Sequence, residues 1–118
     1  MTGFIASACR SPVAPRGGAL SALALHELAA PVINAALREA GLPPQDVDEV
    51  ILSNALGGGG NPARIAALAA GLPEQVAGLS TDRQCAGGLD AILLAAMMVQ
   101  SGHADVVVAG GAESYSRR

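Results

Sequence analysis

The sequence predicts an α/β domain built on a mostly parallel sheet with helices on both of its faces. Three observations carry this. Short apolar runs alternate with longer helical stretches in the order β-α-β-α-β-α-β. The short runs are apolar throughout, not at every second residue, which is the pattern of strands covered on both sides. Gly, Pro and Asn punctuate the junctions, so the loops are short. No internal repeat or linker divides the 118 residues, which make one domain or part of one.

The first strand is expected over residues 3–8, "GFIASA", followed by the irregular "CRSPVAPRGG". A helix is expected over about residues 23–40, ended by Gly41 at a left-handed position with Pro43 and Pro44 beyond it. Pro31 lies inside that stretch, where its missing N–H and its ring predict a kink. In "VDEVILSNAL", Val50, Ile51 and Leu52 form the second strand. Asn61 as N-cap and Pro62 at the first helical position open a short helix that Gly71 and Pro73 close. A brief strand follows over about residues 75–79, and then a helix over about residues 85–101 that stops at Gly102. "ADVVVAGG" supplies the fourth strand.

The third helix has apolar residues on every face between Leu89 and Val99, with Asp90 its only charge before Gln100. A helix apolar all round is buried all round. One small three-layer domain cannot cover it on two sides, so the chain reads as incomplete. The same stretch falls well short of the ~20 residues a membrane span needs, so no membrane is expected among the partners.

Half of the residues are apolar, yet Phe4 and Tyr115 are the only aromatics, so the core must come from Ala, Leu, Val and Ile. The net charge is −3 and all seven cations are arginines. Without lysine there is neither a P-loop lysine nor a Schiff-base lysine. No basic stripe with interleaved aromatics supports nucleic-acid binding. The two cysteines lack metal-ligand spacing and no leader-like stretch precedes them, which points to free thiols in a reducing cytoplasm and to no metal site.

Cys85 is the chief candidate for chemistry. It stands at a predicted helix start, where unpaired N–H groups and the macrodipole favour a thiolate. Gly87 and Gly88 after it would let a substrate approach the backbone closely. On these residues alone, a small thiol at a core boundary is an equally good reading. Cys9 in "SACRSP" has no such setting and reads as a small core residue. The glycines at 57–60 lack phosphate-loop spacing and read as a loop. His26 and His103 read as surface or cap residues. Glu113 and Ser114 stand at a strand's carboxyl end, where sites collect in α/β sheets.

Together these segments resemble the N-terminal part of the thiolases, which make or cleave 3-ketoacyl-CoA. The motifs run in order through nearly the whole chain: "SACRSP", "ALREAGLPPQDVDEVILSNAL", "NPARIAALAAGLP", "RQCAGGLDAI" and "GHADVVVAGGAESYS". The resemblance implies a five-layered α-β-α-β-α fold, with residues 1–118 supplying most of the N-terminal βαβαβαβ half. The loop domain and C-terminal domain would lie outside it. It places the acylated nucleophile on Cys85 and assigns no cofactor-binding residue. Acetyl-CoA, 3-ketoacyl-CoA and CoA would be substrates, with no permanently bound cofactor. The base histidine, an asparagine-held water and a second cysteine would come from a complementary C-terminal segment, and this chain alone would be inactive. A homo-oligomer, dimer or tetramer, is implied. "SYSRR" is expected to be an exposed dibasic site open to nicking.

Two positions depart from the family pattern: Asp82, where asparagine or a similar residue is usual, and Gly87, where serine is common. A carboxylate turned toward Cys85 would raise the thiol's pKa. The R-Q-C form leans toward the degradative 3-ketoacyl type. Two other readings stand beside this one. One is a non-catalytic thiolase-like interaction subunit. The other is a ketosynthase-related condensing enzyme, against which "NPAR" and "VVVAGGAESYS" speak.

Overall fold

Strand β1, Glu49–Ser53, is the centre of the molecule: Val50, Ile51 and Leu52 are all but sealed from solvent. The computed structural model describes residues 2–57 and 59–117. β1 pairs in parallel with β2, Ala77–Thr81, on one side and with β3, Val107–Gly111, on the other, giving the order β2-β1-β3. In register, Ser53 stands beside both Thr81 and Gly111, so all three strands end on one line.

Helix α1 is Leu25–Ala40, α2 is Pro62–Ala69 and α3 is Gly87–Gln100. The connection through α2 steps from β1 to β2, and the one through α3 steps back across β1 to β3. Right-handed crossovers in opposite directions must place their helices on opposite faces. The packing follows. Val50 and Leu52 join Ala29, Ile33 and Leu37 of α1 and Ala63, Ala66 and Ala67 of α2 in the main core. Alternation along the strand turns Ile51 and Ser53 toward α3.

Small residues set the spacing of these layers. A Cβ on Gly78 of β2 would come within 2.6 Å of the Arg64 backbone nitrogen, so α2 sits directly on that strand. Asn61 caps α2: its Oδ1 accepts from the Arg64 N–H at 3.2 Å and from the Ser80 hydroxyl, and its Nδ2 donates to the Gly78 carbonyl at 2.9 Å. At the other end of the sheet, the Asp48 carboxylate accepts from the Asp105 and Val106 N–H groups at 2.8 and 3.0 Å and ties the starts of β1 and β3 together.

Several expectations are corrected. Residues 3–8 belong to no strand, and Phe4 and Ile5 are largely exposed. An apolar stretch becomes a strand only where a sheet edge offers its ladder. This one is tethered instead by the Ser7 hydroxyl, which donates to the Ala36 carbonyl of α1 at 2.7 Å. α1 begins at Leu25, two residues later than expected, and continues as one helix through the exposed Pro31. Gly41 ends it at φ +70°, as expected. β2 lies two residues later than expected, because the Val76 N–H closes a turn on the Pro73 carbonyl at 3.1 Å. α3 packs on β1 and β3 through Gly87 and Ala91, but its outward stripe of Leu89, Leu93 and Met97 is more than half exposed. Here the expectation holds: the all-apolar sequence asks for cover on two sides, and these residues supply it on one. No helix among the described residues is long and apolar enough to cross a membrane.

Candidate active site

The carboxyl ends of the three strands gather the residues of interest. Cys85 lies in a 3-10 turn, Gln84–Ala86, that leads into α3, and its thiol is exposed and free. The expected helix over residues 85–101 therefore starts two residues later, at Gly87, with Cys85 on the approach rather than in the first helical turn. No side chain caps α3, so the positive end of a 14-residue helix is left uncapped directly after the turn that carries Cys85. The buried-thiol reading of Cys85 does not fit its exposure.

Gln84, just before the cysteine, has φ +51° and is the only non-glycine at positive φ among the described residues. A left-handed conformation costs a residue with a Cβ roughly 1–2 kcal/mol. Asp82 holds it there. Its Oδ1 accepts from the Gln84 N–H at 2.9 Å and from Gln84 Nε2 at 3.4 Å. The carboxylate at this departure from the family pattern is thus engaged by the turn that presents Cys85. Arg83 reaches forward to Asp90 at 3.5 Å, an exposed ion pair contributing under about 1 kcal/mol.

Two close approaches seat the start of α3 on the strand ends. Gly88 packs against Gly111, whose added Cβ would lie 3.4 Å from the Gly88 Cα. A Cβ on Gly87 would fall on the Ser53 hydroxyl oxygen. That explains the second departure from the pattern, because a serine at 87 has no room while Ser53 is present. Ser53 carried no sequence signal of its own. It reads simply as the residue after an apolar run.

Glu113 has a structural part. Its carboxylate accepts from Asn54 Nδ2 at 3.0 Å, from the Ala55 N–H and from the Leu56 N–H at 3.2 Å, clamping the loop after β1 to the end of β3. The Ser114 hydroxyl donates to the Leu23 carbonyl at 2.7 Å. Beside this clamp lies an open cavity of about 220 Å³, lined by His26, Asn54, Ser114 and Arg117 among others but not by Cys85. Of the glycine run, Gly57 and Gly59 border it, while Gly58 lies outside the described residues, as does Arg118 of "SYSRR". His103 is exposed in the turn after α3, one helix length from Cys85. Neither histidine is brought to the thiol.

Cys9 is not the core residue expected from its sequence. It is partly exposed, and its Sγ donates to Glu39 Oε2 at 3.0 Å. That hydrogen bond, with slight burial and the Glu39 charge behind it, holds the thiol above its ordinary pKa, against the nearby Arg38.

The profile of the thiolase N-terminal domain matches residues 3–118. The chain is 46% identical over 114 residues to an acetyl-CoA acetyltransferase of Cupriavidus necator, covering 95% of this chain and 29% of that protein. It is 42% identical over 115 residues to a probable acetyl-CoA acyltransferase of Staphylococcus aureus, covering 96% and 29%. Among solved structures, the Bacillus anthracis acetyl-CoA acetyltransferase superposes with a TM-score of 0.93 at 47% identity, over 96% of this chain and 29% of that one. A thiolase from Ascaris suum in complex with coenzyme A gives 0.92 at 31% identity, over 96% and 30%. The chain thus spans about 29% of the length of the curated relatives it matches. With the fold, the ordered motifs and the profile in agreement, the chain belongs to the thiolase family, as a stretch of its N-terminal domain.

Proposed function

We propose that this chain carries the nucleophile of a thiolase-type acyltransferase that makes or cleaves 3-ketoacyl-CoA. The observation that supports it most is the presentation of Cys85: an exposed residue in a 3-10 turn, just after Gln84 at positive φ and before an uncapped helix start, near the line where three parallel strands end. In this reading the Cys85 thiolate attacks the thioester carbonyl of acetyl-CoA, or the 3-keto carbonyl of a 3-ketoacyl-CoA. In the first case the tetrahedral oxyanion collapses with loss of the CoA thiolate. In the second the C2–C3 bond breaks and acetyl-CoA leaves as its carbanion, to be protonated. Either way S-acyl-Cys85 remains, and the acyl group passes to the thiol of CoA or to an acetyl-CoA carbanion.

The base and oxyanion donors would come from the complementary C-terminal part, since neither histidine here reaches the thiol. General acid–base help of that kind contributes roughly 10²–10⁴-fold, so the segment by itself would turn over negligibly. CoA thioesters are substrates and no permanently bound cofactor is required. A cytoplasmic homo-oligomer, dimer or tetramer, completes the picture.

The test is peptide mass spectrometry of the native protein, with its complementary segment, after incubation with acetyl-CoA. An acetyl group on Cys85, absent in Cys85→Ala, is the expected result. Acetyl on Cys9 alone, or on neither thiol, would leave a non-catalytic interaction subunit as the reading.

A further inference from the structure

Gly87 is a glycine for want of space, not for want of backbone freedom. Its φ of −61° and ψ of −42° are ordinary helical values that any residue adopts. What excludes a side chain is Ser53: a Cβ on Gly87 would fall on its hydroxyl oxygen and 2.7 Å from its Cβ. Ser53 is the one buried polar residue found among those described, only 5% exposed, at the end of the central strand. Its backbone is held in place as well, since its carbonyl accepts from the Ala112 N–H at 3.0 Å. A fixed side chain on the sheet therefore occupies the space beneath the first residue of α3, two residues after Cys85.

We propose that Ser53 is a positioning residue for Cys85. Its side chain sets how far the start of α3 stands from the strand ends, and so where the turn places the thiol. Positions 53 and 87 share a single side-chain volume, which either residue can fill but not both. Filling it twice drives the helix start outward. Moving the hydroxymethyl group from strand to helix leaves the total volume unchanged and the seat intact. This inference rests on reading Cys85 as the acylated nucleophile.

The experiment compares wild type, Gly87→Ser, and the exchange of Ser53→Gly with Gly87→Ser, in the native protein with its complementary segment. Two rates are read: acetylation of Cys85 by acetyl-CoA, and iodoacetamide alkylation of Cys85 relative to Cys9 in the same molecule. Gly87→Ser is expected to slow acetylation by about 100-fold, the loss that roughly 1 Å of misplacement brings, and to change the Cys85-to-Cys9 alkylation ratio. The exchange is expected to restore both. A pair that serves packing alone would alter melting temperature while leaving both rates in the folded protein as in wild type, which overturns the proposal. An exchange as slow as the single variant overturns it too. Should Gly87→Ser fail to fold, the exchange decides: folded with wild-type rates supports the proposal, unfolded or slow overturns it. Should wild-type Cys85 take no acetyl group, the functional reading fails, and the alkylation ratios still decide the positioning role.

Discussion

At the scale of single residues, the two thiols are set apart by their neighbours. Cys9 donates to Glu39, and that bond first of all holds its pKa up. Because the thiolate is the species that alkylates, Glu39→Gln is expected to move the onset of Cys9 alkylation to lower pH while leaving that of Cys85 in place. A pH–rate profile of each cysteine peptide checks this, and an unchanged Cys9 profile would contradict it. Cys85 was legible in the sequence as a candidate because it stands between a polar loop and an apolar helix. The device that presents it was not legible. Nothing in "TDRQC" announces that Gln84 takes a left-handed conformation or that Asp82 turns back to hold it. Such local hydrogen bonds depend on where the strand ends and the helix begins. Ser53 was hidden for the same reason, since its neighbour across the space lies 34 positions away, at Gly87.

Among the elements, α2 was the most legible, because Asn61, Pro62 and Gly71 mark its ends by local chemistry alone. Its cap also ties it to β2, so the side chain does more than a surface N-cap. Asn61→Ala is expected to destabilise the folded protein by about 1–2 kcal/mol, the upper part of the range for caps. Asn61→Asp keeps the cap oxygen, loses only the donor to Gly78, and is expected to cost less. Urea midpoints of the three proteins read both effects, and equal losses would contradict them. The stretch over residues 3–8 shows the opposite case. Its apolar, β-forming sequence is a proper strand signal, yet a strand exists only in partnership and no edge of this sheet pairs with it.

For the whole molecule, parallel strands need both ends aligned, and Asp48 aligns the amino ends as Ser53, Thr81 and Gly111 mark the carboxyl ends. The Asp105 and Val106 N–H groups lower the Asp48 pKa, the first of them most, with slight burial opposing. A carboxyl whose folded pKa is lowered stabilises the fold fully above its unfolded pKa of about 3.9, and loses that contribution as pH falls through the folded value. Asp48→Asn is therefore expected to be less stable than wild type near neutrality, with the gap closing in acid. Urea midpoints across that range test it, and a gap constant with pH would contradict it. The sequence by itself determined the alternation of strands and helices, both caps of α2, the glycine end of α1 and the choice of Cys85 over Cys9 as the candidate thiol. These are written in periodicity, turn chemistry and ordered motifs, all of which act over a few residues. Tertiary structure alone decided that the first apolar run stays unpaired, that one stripe of α3 is left open, and that position 87 must lack a side chain. Each of those turns on which distant residue occupies a neighbouring space, and local sequence does not carry that information.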